Sequence, residues 1–144
     1  MDQQLSLKVN VTSEILQELL NQPRNENLKI TIETILENTN GSCVRFMLGK
    51  NAELNWLIYK ASDQSDTIFH LNKFTSPYVI INVRIDMLTN DQIFIAALLC
   101  KSKSKHKNIP NIGIMYTSIS NTFLGNKIGE FIIKNNKKKN IIKI

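Results

Sequence analysis

Lys101, Lys103, Lys105 and Lys107 stand at every second position, interleaved with Ser102, Ser104 and His106. In an extended chain all four project to one side, about 7 Å apart given the rise of a strand. That spacing approaches the phosphate repeat of a nucleic-acid strand, where each lysine contact would release counterions. The same run also suits an edge or loop whose charge keeps sheets from pairing with one another. No aromatic residue is interleaved, so the run offers no platform for base stacking. A second cluster, Lys137, Lys138 and Lys139, precedes Ile141, Ile142 and Ile144. Short lysine clusters grip nucleic acid, serve as nuclear import signals or simply keep a tail solvated. The isoleucines behind this one suggest docking on the body or on a partner. These seven lysines are the candidate contacts for nucleic acid or another acidic partner.

The distribution of charge carries more information than its total of +6. Ile, Asn and Lys make up 54 of 144 residues, and all three use AT-rich codons, so a biased genome would raise lysine everywhere. Residues 1–100 nevertheless carry eight basic and eleven acidic side chains, a net charge of −3, whereas residues 101–144 carry ten and one, a net charge of +9. Codon bias does not produce that asymmetry. A basic end either meets an acidic partner or stays solvated.

Other chemistry lacks its parts. His70 and His106 are the only histidines, and neither has a Cys or His at ligand spacing, so no metal site is expected. His70, between Phe69 and Leu71, reads as a packed or surface histidine. Asp63 and Asp66 read as solvated turn acids, since the twelve-residue calcium-loop pattern is missing. There is no G-x-S-x-G elbow, and the five glycines are spread singly, so neither a serine nucleophile nor a phosphate-cradling glycine loop is expected. Cys43 and Cys100 fall in apolar runs and read as core thiols. No enzyme, cofactor or small-molecule ligand is predicted. The first residues lack the basic and apolar regions of a signal peptide, and no apolar stretch approaches the ~20 residues of a membrane span. The expectation is an intracellular, non-secreted protein with reduced thiols and no membrane contact.

The elements that must carry these residues read mostly at period two. Leu5–Val11 alternates as a strand, a short helix follows over residues 14–21, and Pro23 stops it. Strands follow around Leu28–Ile32, Val44–Leu48, Leu54–Ala61, Thr67–Leu71 and Val79–Ile85, with Asn40-Gly41 as a hairpin turn. Ile93–Cys100 is apolar on both faces and reads as a central strand, with a short buried helix as the alternative. Ile112–Tyr116 and Ile128–Ile133 complete the pattern. About nine short strands and one N-terminal helix predict an all-β protein, an antiparallel sandwich or barrel of β-clip or jelly-roll type. Residues 1–133 form its single domain, and 134–144 a flexible basic tail.

Val79–Ile85 leading into Ile93–Lys101, and Asn108–Tyr116 leading into Gly129–Ile133, resemble the telokin-like protein family of baculoviruses. The resemblance implies an all-β, β-clip fold shared with dUTP hydrolases, and a small viral protein in the host cytoplasm or nucleus. Those hydrolases need a Gly-rich hairpin with Tyr and Asp, and a Ser-rich phosphate motif. The corresponding stretch here, Ile112–Ser120, has one Gly, one Tyr and no Asp. No catalytic residue is carried over. Two functional expectations result. One is a non-enzymatic accessory or structural protein acting through self-association or a protein partner. The other is a basic nucleic-acid-binding β-module using Lys101–Lys107 and the C-terminal lysines.

Overall fold

A computed structural model describes residues 32–37, 43–49 and 51–144, the first of these segments as backbone only. The expected strand over Leu5–Val11, the helix over 14–21, the Asn40-Gly41 turn and the packing of the Cys43 side chain lie outside the described residues.

Six strands form one antiparallel sheet in the order β1-β2-β4-β3-β5-β8, with β1 at Ile32–Glu37, β2 at Cys43–Leu48, β3 at Thr67–Leu71, β4 at Val79–Ile81, β5 at Gly113–Ser118 and β8 at Asn140–Lys143. A separate two-stranded ribbon pairs β6 (Thr122–Leu124) with β7 (Phe131–Ile133). The antiparallel, β-rich expectation holds. The sheet is open, however, and two helices, α1 (Ala52–Ala61) and α2 (Asn90–Ser102), stand where strands were expected.

Both corrections have a local cause. Leu54–Ala61 fits period two over a few residues, but Asn51 accepts from the Leu54 amide at 2.9 Å and caps a helix. Leu54, Asn55 and Ile58 then share its buried face, the spacing of a helix rather than a strand. Ile93–Cys100 takes its helical alternative because Thr89 and Gln92 form a capping box. The Gln92 amide donates to Thr89 Oγ1 at 3.1 Å, and the Thr89 amide to Gln92 Oε1 at 3.0 Å. Val79–Ile85 is also shorter than its alternation suggests. The strand ends at Ile81, and Ile85–Met87 turns as a 3-10 helix.

Each face of the sheet buries one apolar set. Phe46, Phe69, Leu71, Val79, Ile81 and Ile114 pack against Ile95, Ala96, Leu99 and Cys100 of α2. Ile68, Tyr78 and Ile80 point the other way, toward Ile58, Trp56 and Tyr59 of α1 and Phe131 of the ribbon. Alternation along β3 and β4 thus feeds two cores, because successive side chains point to opposite faces. Full burial of each large apolar side chain contributes about 1.5–3 kcal/mol. The ribbon is tied to α1 by polar contacts as well. Tyr59 Oη donates to Thr122 Oγ1 at 2.7 Å, and Trp56 Nε1 donates to the Glu130 carbonyl at 3.0 Å.

The end of the chain differs from the flexible tail expected over 134–144. Residues 140–143 pair with β5 at the sheet edge. Ile112 and Ile144 exchange backbone hydrogen bonds of 3.0 and 3.1 Å. The isoleucines behind the lysine cluster therefore dock on the body, with Ile142 and Ile144 packed against the α2-side core. No described helix is long and apolar enough to cross a membrane.

Candidate functional site

β3 runs between two concave grooves. At its C-terminal end lies a groove of about 500 Å³, bounded by the start of α1, the Thr75–Pro77 loop, the end of α2 and Ile128–Gly129. At its N-terminal end lies a second groove of about 710 Å³.

The first groove is built around the N-terminus of α1. A helix begins with backbone amides that have no helical partner and a partial positive charge. Here the Leu54 amide is taken by Asn51 Oδ1 and the Asn55 amide by the Asn51 carbonyl, which leaves those of Ala52 and Glu53. Two glycines bring backbone close to this end. A Cβ on Gly49 would lie 2.2 Å from Asn55 Oδ1. Gly129 has φ +87°, and a Cβ there would lie 2.6 Å from the Ala52 Cβ. Either position admits only glycine without displacement.

Asn55 lines the groove although the residue is only 6% exposed. Its Oδ1 accepts from the Tyr78 amide at 2.9 Å, which fixes the orientation of the side-chain amide. Nδ2 is therefore on the other side of the side-chain amide. His70 also lines this groove. Its Nδ1 donates to the Leu71 carbonyl at 2.7 Å, so Nε2 carries the lone pair in the neutral ring. Burial pushes its pKa below the ordinary histidine value, partly opposed by that same bond. Tyr78 and Phe131 set their rings edge-on to the imidazole, with centroids at 5.7 and 5.5 Å. Burial raises the Tyr78 phenol well above its usual range, and its hydroxyl donates to the Gly129 carbonyl.

The alternating lysines do not form a comb. Lys101 and Ser102 end α2, Lys103 caps it, and tight turns follow through Asn108. Lys101 Nζ donates to the Ile144 carbonyl at 2.9 Å, which ties the helix end to the last residue. Lys103 and Lys105 line the first groove. Lys107 is exposed outside it. Two of the four are thus brought together, by turns rather than by an extended strand. Among the described residues no Asp or Glu lines this groove.

The second groove carries Arg84, Asp86 and Lys138 together with Thr117, Ser118 and Ser120. Its charges are more balanced. Arg84 Nη2 meets Asp86 Oδ2 at 3.2 Å, with both side chains largely in solvent. Of the tail lysines only Lys138 lines it; Lys137 is exposed on the Asn136–Lys138 turn, and Lys139 Nζ reaches Asn72 Oδ1 at 3.4 Å. The two lysine clusters therefore do not share one face of a groove. Among the described residues no group of three or more His, Cys, Asp or Glu side chains converges as a metal site would require.

Sequence reasoning passed over Asn51, Asn55 and Gly129. An Asn at the cap and another four residues on are the usable signal, since both then face the same end of a helix. That signal was hidden while the stretch read as a strand.

No protein-family model matches the chain, and no curated protein matches it. The fold is similar to the C-terminal part of the fibronectin/fibrinogen-binding protein from Streptococcus suis. The TM-score is 0.65 at 17% identity, over 96% of this chain and 56% of that one. The chain thus spans little more than half of its structural neighbour. At this identity the likeness establishes the fold and nothing about function.

Proposed function

We propose that the chain is a non-enzymatic nucleic-acid-binding β-module, with the groove at the C-terminal end of β3 as its phosphate contact. The observation that carries this reading is the convergence of Lys103, Lys105 and the N-terminus of α1 on a concave surface whose described lining has no acidic side chain. Cations and free helix amides are the two groups that most readily receive a phosphate. The concentration of +9 net charge in residues 101–144 supports the same reading, because it draws a polyanion to that end of the chain. Affinity for a single-stranded or duplex oligonucleotide, followed by fluorescence anisotropy over a salt series, tests it. Binding should weaken steeply with salt, and retention that ignores salt, or no binding at low salt, would overturn it.

A second reading has its own observation. Phe123 and Ile132 are cross-strand partners on the ribbon, and they remain 46% and 40% exposed. A paired apolar patch of this kind suits a protein contact. The streptococcal neighbour bears the name of a fibronectin/fibrinogen-binding protein. On this reading the chain is an accessory or structural protein acting through a partner or a second copy, of the viral kind the telokin-like resemblance implies. Light scattering of the chain and of a Phe123→Ser/Ile132→Ser variant tests self-association. An unchanged monomer in both removes that arm.

A further inference from the structure

We propose that Phe74, stacked on His106 at the rim of the groove, is a platform for an unpaired nucleobase, so that the nucleic acid this surface takes is single-stranded. This rests on the nucleic-acid reading and deepens it by naming the form of the ligand, and the two can fail separately. The lysine run carries no interleaved aromatic, but the fold supplies one from another segment. The 72–77 loop leaves β3 and the 103–110 turns leave α2, and both wall the groove, through Thr75–Pro77 and Lys103–Lys105. Where they meet, the rings of Phe74 and His106 have centroids 4.3 Å apart and planes inclined by 34°. Phe74 nevertheless keeps 42% of its surface exposed.

A single exposed apolar ring is ordinary on a protein surface. This one differs in its company. Lys73 precedes it, Lys105 and Lys107 flank His106, and all three lysines are exposed. The two loops together hold four lysines and no Asp or Glu. An aromatic ring beside cations suits a single strand, because every base has a π-face to stack and the cations meet its phosphates. A duplex keeps those faces in its own stack and can use the lysines alone. The same charges disfavour a second copy of this chain as the occupant, since it would bring like charges together. Both rings are also held ready. Ser76 Oγ accepts from the Leu71 amide at 3.0 Å and closes the first loop. Ser104 Oγ donates to the Lys101 carbonyl at 2.7 Å and accepts from the His106 amide at 3.1 Å. Rings fixed before binding need not be ordered during it.

The test is fluorescence anisotropy of the full chain with a short labelled single strand and with an abasic strand of the same length and charge. The strand that carries bases should bind at least about fivefold more tightly. Phe74→Ala should remove that difference and leave the slope of log affinity against log salt unchanged, because no charge is lost. Phe74→Trp should restore it. The ring belongs to neither core, so both variants should fold, and the comparison of the two strands on the unaltered chain needs no variant. Equal binding of the two strands by that chain, or a Phe74→Ala chain that still tells them apart, overturns the platform. If such binding still weakens with salt, the wider nucleic-acid reading stands, whereas no binding of any strand at low salt sinks both. A dimer lost in Phe74→Ala by light scattering, with the strand preference kept, overturns the platform in favour of a protein contact. Competition between DNA and RNA strands of one sequence distinguishes the two sources of the base.

Discussion

The two ends of β3 are roughly 15 Å apart along one short strand, and they carry different kinds of groove. At the N-terminal end the charged groups answer one another: Arg84 meets Asp86, and hydroxyls bond locally, as Ser118 and Ser120 do at 2.9 Å. At the C-terminal end the described lining holds Lys103 and Lys105, the Asn55 amide and a neutral imidazole, with no carboxylate among them. Size alone favours the N-terminal end, whereas the sign of the lining charge favours the smaller groove.

The comparison can be broken most severely through the strand that both grooves share. Phe69→Ala removes a fully buried ring stacked on Tyr116 at 4.9 Å and should cost about 3–5 kcal/mol, measured by urea unfolding. Both grooves should be lost together. Reversing charge at the C-terminal end sharpens it next. Lys103→Glu/Lys105→Glu should flatten the dependence of log affinity on log salt by roughly 0.9 per lost duplex contact, while Lys138→Glu at the other end should change it little. Asn51→Ala, which uncaps α1, should cost about 0.5–2 kcal/mol by thermal or chemical unfolding.

The imidazole gives a pH test. Burial lowers the proton affinity of His70 in the folded chain, so the unfolded chain binds more protons as pH falls through the ordinary value of 6.5. The stability it contributes is whole above that pH and is lost progressively below it, as the pH approaches the lowered folded value. Lys103 and Lys105 line the same groove, and the rings packed on the imidazole, Tyr78 and Phe131, bring no opposing charge. Unfolding titrations from pH 8 to 5 should lose this slope in His70→Phe. The smallest effect belongs to the N-terminal end. Arg84→Ala breaks an exposed pair and should change stability by no more than about 1 kcal/mol.

Much of the sheet was legible in the sequence because alternation along Val44–Leu48, Thr67–Leu71 and Ile112–Tyr116 follows directly from burial on opposite faces. The helices were not, for reasons visible in particular residues. Ala52–Ala61 exposes Leu57 and half-buries Trp56 and Tyr59 against the ribbon, so apolar residues surround it and mask its period. Asn90–Ser102 buries Ile95, Ala96, Ala97, Leu99 and Cys100 over a broad face, which blurs its period and leaves its capping box as the clearest mark of a helix. The lysine asymmetry was legible, but its geometry was not. Whether alternate lysines share a side depends on an extended backbone, and Lys101–Lys107 is the end of a helix followed by turns. Asn55 was invisible for a different reason: its place depends on a bond to the Tyr78 amide, far along the chain, which sequence does not record.

Cys100 links the groove to the opposite core. Its thiol sits within 3.5 Å of Ser76 Oγ and 3.4 Å of the Pro77 carbonyl, both in the loop that walls the groove. Burial pushes its pKa up to about 12, against the smaller opposing effects of Ser76 and the Leu71 backbone, so almost none of it is thiolate at neutral pH. Alkylation at this sulfur, located by peptide mass analysis, therefore waits on separation of the Thr75–Pro77 loop from α2. Its rate is a clock for the breathing of the groove wall, and a ligand that closes the groove should slow that clock without touching the thiol.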